Sequence, residues 1–505
     1  MIFKARPPQS KPLLNPSRPF ETQILAQGEW SALAHKLNEG LYNLISLWSD
    51  GQNVYMALRH KEDQHIGLVS LACEHGFFPS IGRLFPPAIR LERAIQDLYG
   101  LTPEGGPDAR AWLDHGRWGL RHPQGDQKIL YTDCDPYVFL EAKGEPLHQI
   151  PVGPVHAGII EPGHFRFSAN GEVVVRLEER LGFVHKGVGA LIVGKDIEVA
   201  SKYAARVSGD STVAYSFAFA LAIEAALGLE VSEKASQIRV VMAELERLAN
   251  HFGDIGAICN DVAFPLMLGQ CAIIREKILR AAETCFGHRL MMDQIKPGGV
   301  ERGLDDENIV IIRTLLDEIT AKLPRLISLY GDTVSVQDRT VSTGIVSREL
   351  AELYSAGGFV GRASGRIFDA RKELRYGYYS KLLFDIGHAV EGDVDARVWV
   401  RFDEIKSSLR LIEQVLGMQA IGDLCCELSF SVDKDLEGVA VVEGFRGDIF
   451  SWVRIDPSGK IQACHLRDPS WFQWPLLEYA IKGNIVADFP VCNKSFNCSY
   501  SGHDL

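Results

Sequence analysis

Side chains able to do chemistry concentrate in three short stretches of this chain of 505 residues. Residues 206–211 read Arg-Val-Ser-Gly-Asp-Ser, residues 361–371 read Gly-Arg-Ala-Ser-Gly-Arg-Ile-Phe-Asp-Ala-Arg, and residues 495–504 read Ser-Phe-Asn-Cys-Ser-Tyr-Ser-Gly-His-Asp. They offer mainly hydroxyls, carboxylates and guanidinium groups, with a single thiol at Cys498 and a single imidazole at His503, and one thiolate cannot hold a four-thiolate centre. Because a neutral hydroxyl is a poor ligand for nickel or iron compared with a thiolate, these stretches favour ion pairs and hydrogen bonds over coordination of a soft metal.

The cysteines support the same interpretation. The chain has 10 of them, and none forms a Cys-x-x-Cys pair. Neither a zinc site nor a set of iron–sulfur ligands is therefore readable. The pattern is typical of buried free thiols in a reducing compartment, and we expect no metal or cofactor to be held by this chain itself.

Composition narrows the class of protein. A hydrophobic content of 46% with 23% charged residues is ordinary for a globular chain with a large core. A net charge of -12 argues against binding to a phosphate backbone. The N-terminus lacks a secretory signal, and the most apolar run, 215–231, is interrupted and shorter than the ~20 residues needed to span a bilayer. We expect any membrane association to come through partners.

Local patterns predict the elements of the first third of the chain. Residues 1–20 are rich in proline and polar groups and read as an extended arm. Apolar runs at 41–48 and 54–58 flank Asp50-Gly51, which predicts a β-hairpin. Residues 91–100 have one apolar helical face and a glycine suited to the C-cap.

The rest of the chain reads as mainly helical. Residues 212–228 are apolar nearly all round, and Ser232 is a suitable N-cap for a following helix. Further helices are expected at 268–288, 306–331 with a kink or break at Pro324, and 395–416. The end of the chain reads as β-rich. The expected fold is α+β: an arm at 1–20, a small α+β domain at 21–145, and a large helical domain with peripheral β elements at 146–505.

The three stretches resemble a known family. In the large subunits of nickel–iron hydrogenases, Arg-x-Cys-Gly-x-Cys and a late Asp-Pro-Cys-x-x-Cys segment bind one bimetallic centre. Residues 206–211 and 495–504 keep that frame, but serine or glycine stands at all four cysteine positions: Ser208, Ser211, Ser499 and Gly502. The resemblance therefore implies a site without its metal ligands. Since the chain stops directly after the second segment, we also expect no C-terminal extension to be clipped.

Other segments follow in the family's order. Residues 153–167 resemble the opening of group 4 hydrogenase large subunits, the class of formate hydrogenlyase and hydrogenase-4, and of the 49-kDa-type subunit of respiratory complex I. Residues 181–189 match Gly-x-x-His-Arg-Gly-x-Glu, with Gly189 where the family carries a proton-relay glutamate. Residues 361–371 resemble a loop lining the central cavity; a phosphate-binding loop is the rival reading, but no Gly-Lys-Ser/Thr follows.

The N-terminal domain has its own resemblance. Glu92, Arg93, Asp97 and Gly100, followed by residues 107–110, are similar to a helix and loop of complex I's 30-kDa-type subunit. Gly106 stands where that loop carries histidine. A generic small α+β domain with a solvated charged helix is the alternative.

The resemblance implies a fused core subunit of a membrane-associated, complex-I-like oxidoreductase. In complex I, the cavity without metal receives a quinone and takes electrons from a [4Fe-4S] cluster in a small subunit. The implied partners are that iron–sulfur subunit and antiporter-like membrane subunits, with this chain on the cytoplasmic side of the membrane. A non-catalytic coupling or scaffold subunit is the alternative, and a hydrogenase or formate hydrogenlyase subunit is the least favoured.

The resemblance also nominates residues that line the cavity: His156, Glu161, His164, Arg206, Ser208, Asp210, Ser211, Arg362, Asp369 and Ser499. The histidine and tyrosine with which complex I contacts quinone do not map cleanly here. Because an unpaired buried charge costs several kcal/mol, we expect Arg206 and Asp210 to be buried. They would pair with each other, or with Asp369 and Arg362.

Overall fold

The computed structural model describes residues 22–126, 129–130, 136–144, 146–156, 158, 160–429 and 433–505. The predicted arm and residue 145, where the two domains were expected to meet, lie outside these residues, so the predicted boundaries stay predictions. The fold is mixed, with about 45% helix and 19% strand. The predicted α+β class is confirmed.

The chain begins with a four-stranded sheet in the spatial order β1-β4-β3-β2. Its strands are β1 (Thr22–Ile24), β2 (Tyr42–Ser49), β3 (Asn53–His60) and β4 (Ile66–Ala72). Helices α1 (Gln27–Asn38) and α2 (Ile89–Tyr99) accompany the sheet. The predicted hairpin is confirmed as β2–β3, and Gly51 at its turn has φ +98°, which glycine tolerates best. Gly100 is the left-handed C-cap of α2.

Short strands join this sheet to the large domain. They are β5 (Phe77–Pro79), β6 (Thr102–Glu104), β7 (Leu120–Arg121), β8 (Ile129–Leu130), β9 (His148–Val152), β10 (His164–Asn170) and β11 (Val173–Arg180). The last three form an antiparallel sheet with β10 in the middle.

Helices then make up the centre of the molecule. The first five are α3 (Val188–Ile192), α4 (Ile197–Ala204), α5 (Thr212–Leu227), α6 (Glu233–Asp261) and α7 (Pro265–Phe286). After the short strands β12 (Ile295–Lys296) and β13 (Gly299–Val300) come α8 (Asp306–Asp332), α9 (Val334–Thr340), α10 (Arg348–Leu353), α11 (Gly358–Ala363), α12 (Ala370–Glu373) and α13 (Val394–Leu416). The predicted helices are present; Ser232 caps α6 by accepting from the amide of Ala235, and Pro324 lies inside an unbroken α8.

The end of the chain is β only in its first part. Strands β14 (Leu436–Gly444), β15 (Gly447–Ile455) and β16 (Ile461–Arg467) form an antiparallel sheet. Helices α14 (Ser470–Ala480), α15 (Phe489–Phe496) and α16 (Tyr500–Asp504) follow. The prediction of a β-rich end is therefore wrong beyond Arg467. Aromatic residues that favour strands, such as Trp471 and Trp474, are buried here on helices, so tertiary burial outweighs local preference.

Helix α5 lies at the core, with nearly every side chain buried. Within the described residues, the stretch Gly209–Leu227 is long and apolar enough, by length and composition alone, to cross a membrane. Of its most apolar 18-residue window, 89% is buried inside the protein, as in the core helix of a folded protein. The N-terminal sheet is tied to the C-terminal one by Arg454, which donates to Asp50 at 2.9 Å and to Glu437 at 2.8 Å.

Candidate functional site

The segments 206–211 and 495–504 meet in the structure, as the resemblance implied. The hydroxyls of Ser208 and Ser499 are hydrogen-bonded at 3.1 Å although 291 residues separate them in sequence. Ser499 also caps helix α16, because its hydroxyl accepts from the amide of Gly502 at 2.8 Å. Three of the four positions to which the resemblance assigns the family's cysteines, Ser208, Ser499 and Gly502, are thus joined by hydrogen bonds.

A guanidinium group lies at this junction. Arg446, in the turn between β14 and β15, donates from Nη2 to Oδ2 of Asp210 at 2.6 Å and from Nη1 to Oδ1 at 2.9 Å. It also donates to the hydroxyl of Ser211 at 3.2 Å. Burial opposes ionisation of Asp210, but the Arg446 cation outweighs it and lowers the pKa of Asp210 to about 2. The pair is therefore ionised at neutral pH. Through Arg446, Ser211, which is the remaining one of the four positions that the resemblance assigns to cysteine, is bonded to the β14–β15 turn.

Gly502, the last of these four positions along the chain, has no room for a side chain. A Cβ atom on Gly502 would lie 2.4 Å from Oδ2 of Asp468. Asp468 cannot easily move, because it accepts from the hydroxyl of Tyr215 at 2.6 Å and from the amide of Ser470 at 2.8 Å. The packing at Gly502 is therefore incompatible with the side chain that a thiolate ligand would require.

The C-terminal segment also holds the 181–189 motif in place. The carboxylate of Asp504 accepts from the amides of Gly182 at 2.9 Å and Val184 at 3.0 Å. Gly189 lies nearby at the start of α3, and a Cβ built on it would meet its nearest neighbours only at 3.9 and 4.0 Å. The position at which the resemblance expects a glutamate therefore has no close packing around it.

Arg206 does not belong to this site. Its side chain is 47% exposed and pairs with Asp293 on the surface, with both distances at 2.7 Å. The expectation that it is buried and paired with Asp210 or Asp369 is wrong. The Arg446 cation takes the place of that partner, so Arg206 is left free to extend from the end of α4 into solvent.

The histidines of the opening motif lie apart from the serines. His164 bonds the carbonyl of Gly153 at 3.1 Å and faces the ring of Phe139. His156 accepts from the amide of Gly158. Glu161 alone reaches the C-terminal segment, where it accepts from the amide of Ser501 at 3.0 Å.

Arg362 and Asp369 belong to a separate, fully buried ionic cluster. Arg362 binds Glu443 at 2.8 Å and Glu404, and Asp369 binds Arg371 at 2.6 Å. The remaining members come from α6: Glu244, Arg247 and His251. These α6 charges, which could have formed a solvated face, are buried in the structure, and so are those of α2, namely Glu92, Arg93 and Asp97.

A cleft of about 540 Å³ leads from the surface to Asp210. Most of its polar lining is charged: Asp210, Asp254, Arg275, Glu276 and Lys494. The apolar lining includes Phe252, Leu268 and Ala272. On the described residues the cleft is thus a charged groove with one apolar patch, and it makes Asp210 reachable from solvent.

Metal-binding geometry is absent from the described residues. No group of three or more histidine, cysteine, aspartate or glutamate side chains there is placed to hold a metal ion. The nine described cysteines are free, and burial raises the pKa of Cys498, next to Ser499, well above that of an ordinary thiol. A neutral thiol is a weak ligand.

Sequence reasoning missed Arg446 as a site residue. The segment 441–447 resembles the family's Glu-x-Pro-Arg-Gly turn, which was a signal available in advance. The sequence does not show which carboxylate Arg446 binds, because Asp210 lies 236 residues earlier in the chain. Glu443 and Glu404, which complete the buried cluster, were missed for the same reason.

Comparisons with known proteins match two family models to this chain. The family model of the respiratory-chain NADH dehydrogenase 49 kDa subunit matches residues 263–427, and that of the 30 kDa subunit matches residues 32–128. Both models thus occur in one chain, in the order expected from the motifs.

Curated relatives extend the match over most of the chain. Formate hydrogenlyase subunit 5 of Escherichia coli is 30% identical over 438 residues, which is 85% of this chain and 77% of that protein. Hydrogenase-4 component G of the same organism is 31% identical over 436 residues, covering 85% and 76%. The carbon monoxide-induced hydrogenase of Rhodospirillum rubrum is 28% identical over 351 residues, covering 69% and 97%.

Proposed function

Because this chain belongs to the family of complex I 49-kDa-type and hydrogenase-4-type large subunits, with a 30-kDa-type segment ahead of it, we propose that it works without a nickel–iron centre. In this proposal it is a core subunit of a membrane-associated, complex-I-like oxidoreductase. The membership supports the oxidoreductase class, and the site geometry supports the loss of the metal.

The observation that carries the proposal is the Asp210–Arg446 pair. Its guanidinium lies 3.2 Å from Ser211, one of the four positions at which the family's cysteines would bind metal. A fixed cation there repels a metal cation, and Ser208, Ser211 and Ser499 offer neutral hydroxyls in place of thiolates. Gly502 cannot accept a Cβ without displacing Asp468. These residues do not fit a nickel–iron centre.

The cleft that ends at Asp210 is the proposed electron-acceptor cavity, with a quinone as its ligand. Lys494 and Arg275 can donate hydrogen bonds to quinone oxygens, and Phe252, Leu268 and Ala272 supply apolar surface. A quinone site needs mostly apolar walls. Only part of the lining of this cleft is apolar, and the rest is mostly charged. We therefore infer that a neighbouring protein of the assembly supplies the remaining wall.

The proposed partners are an iron–sulfur small subunit of the complex I or hydrogenase type and antiporter-like membrane subunits. No cluster ligands are readable in this sequence, so electrons must arrive from another chain. In this arrangement the protein lies on the cytoplasmic side of the membrane, attached through those subunits.

The charged lining of the cleft also fits a second function. A non-catalytic subunit that couples its partners mechanically would need the ionic pairing of Asp210 and Arg446 but no ligand. Quinone binding separates the two functions.

Elemental analysis of the purified complex tests the loss of metal. We expect less than stoichiometric nickel and no hydrogen uptake coupled to a dye. One nickel per chain, or such uptake, would refute the proposal. Co-purification from membranes with an iron–sulfur protein is expected, whereas a monodisperse lone chain turning over its own substrate would contradict the subunit assignment.

Photoaffinity labelling with a quinone analogue tests the acceptor cavity. We expect label at residues of the cleft, with loss of labelling on excess quinone and in Leu268→Glu. Conversion of exposed Leu383 to glutamate is the matched control and should leave labelling unchanged. A complex that turns over while the cleft stays unlabelled would favour the coupling function.

A further inference from the structure

The buried ionic cluster contains two acidic groups that share one cation. Nη1 of Arg362 lies 2.8 Å from Oε1 of Glu443 and 3.4 Å from Oδ2 of Asp369. All three side chains are at most 1% exposed. Two carboxylates this close to one guanidinium nitrogen, and shielded from water, repel each other strongly.

The charges of the cluster do not balance. Its carboxyl groups are Glu244, Asp369, Glu404 and Glu443, and its guanidinium groups are Arg247, Arg362 and Arg371. Among the groups joined to one another by salt bridges, the four acids exceed the three cations by one negative charge when all are ionised; Arg366 is buried nearby but forms its ion pair with Glu352, at 4.0 Å. A buried excess charge costs several kcal/mol, and a proton can neutralise it.

The neighbouring histidine is the less suitable proton acceptor. Nε2 of His251 already bonds Glu404 at 2.7 Å, and its Nδ1 has no hydrogen-bond partner among the residues that the structure describes. Protonating Nδ1 would therefore create a buried donor without an acceptor. Burial lowers the pKa of His251, even though Glu404 opposes that effect.

We propose that Asp369 and Glu443 form an acid pair that binds and releases one proton at the centre of the large domain. Asp369 is the ionised member, since Arg371 contacts it through two nitrogens at 2.6 and 3.0 Å. Glu443 has one guanidinium contact and one amide contact, from Ala370 at 2.9 Å, and it holds the exchangeable proton. The ligand of this site is the proton itself. The inference rests on the cluster and is independent of the proposed quinone cavity.

The surroundings of the two carboxyl groups support the assignment of the negative charge to Asp369 and of the proton to Glu443. Burial first, and then the Asp369 charge, raise the pKa of Glu443 to about 7, against the effect of Arg362. Burial opposes ionisation of Asp369 as well, but Arg371 and Arg362 lower its pKa to about 2. Two interacting acids whose pKa values are driven apart in this way titrate one proton at a time.

The elements packed around Glu443 carry further charged and polar groups, and some of these groups face other partners. Helix α6 presents Arg247, β15 presents Asp448, and the hydroxyl of Tyr376 accepts from the Glu443 amide. Arg366, which follows α11, is buried, and its charge interacts with that of Glu443. Helix α5 directs Glu224 to Arg239 and Tyr215 to Asp468. Glu443 lies in β14, three residues before Arg446, which binds Asp210. The acid pair is therefore linked to the Asp210 site through the end of this strand.

Infrared difference spectroscopy on the full chain, in the complex with which it purifies, tests the proposal. Between pH 6 and pH 9 we expect loss of a carboxylic acid C=O band that is missing in Glu443→Gln. The matched control is Glu246→Gln, another buried glutamate that has no second carboxyl on a shared guanidinium; it should keep the Glu443 band. A Glu443→Gln spectrum with every wild-type band would overturn the proposal.

A second variant and a labelled protein complete the test. Asp369→Asn removes the neighbouring charge and should move the midpoint of the Glu443 band to lower pH by about one unit or more; an unchanged midpoint contradicts the pair. If neither variant folds, Glu443→Asp in protein labelled with ¹³C in its glutamate carboxyls decides, because it keeps a carboxyl group at this position. Relative to labelled wild type, the acid band of this position should move from the ¹³C-shifted to the unshifted frequency; a ¹³C-shifted band pattern identical to that of wild type overturns the assignment.

Discussion

The guanidinium of Arg446 binds both oxygens of Asp210, at 2.6 and 2.9 Å, across 236 residues of sequence. This pair joins the β14–β15 turn to the start of α5, beside the point where segments 206–211 and 495–504 meet. An ion pair therefore stabilises the junction of these two segments.

Asp210→Asn should destabilise the protein by about 1–2 kcal/mol, because it leaves the buried Arg446 cation without its counter-ion. That is less than for a fully enclosed pair, since the Asp210 side chain is 35% exposed. Thermal or chemical unfolding measures the change. The matched control is Asp293→Asn, which breaks the exposed pair with Arg206 and should cost about 0.5 kcal/mol or less.

The Asp210 contribution should depend on pH with a defined sign. Its folded-state pKa of about 2 lies below the ordinary carboxyl value of 3.8. The stabilisation is therefore present above the unfolded-state pKa and is lost as the pH falls toward 2. The difference in stability between wild type and Asp210→Asn should narrow as the pH falls from 5 to 2. A constant difference would show that the pair contributes no charge-dependent stability.

Glu246 should show the opposite dependence. It accepts from the amides of Val213 and Ala214 at the start of α5, and burial raises its pKa to about 8. A raised folded-state pKa gives a contribution that is present below the unfolded-state pKa and is lost as the pH rises through 8. Glu246→Gln should therefore gain stability relative to wild type as the pH rises from the ordinary carboxyl pKa of 4.5 to about 8, and the difference should level off above pH 8. Equal pH profiles for the two proteins would contradict the raised pKa.

Gly502→Ala should destabilise the protein by about 1–3 kcal/mol, as overpacking does in a well-filled core. The added Cβ would lie 2.4 Å from Asp468 and 2.8 Å from the Ser499 hydroxyl. Gly209→Ala is the control, because a Cβ there meets nothing within 4 Å; it should stay within about 0.5 kcal/mol of wild type. Similar melting temperatures for the two variants would show that position 502 can accommodate a side chain.

The sequence by itself determined the α+β class, the hairpin at Asp50-Gly51, the caps at Gly100 and Ser232, and the long helices. Each of these depends on neighbours within a few residues, and the physical rules for turns, caps and helical faces act at that range. The same local reading failed beyond Arg467, where Trp471 and Trp474 are buried on helices instead of strands.

The sequence also placed Ser208, Asp210, Ser211 and Ser499 near one another, because the order of the motifs follows a family pattern. Only the tertiary structure decided how the charges pair. Arg206 was expected to be buried with Asp210, yet it is exposed and pairs with Asp293, while Arg446 takes the buried position. A charged side chain pairs with the opposite charge that folding brings within reach, and burial then decides how strong the interaction is. Neither the distance nor the burial is encoded in local sequence, so the ionic network became visible only in the folded chain.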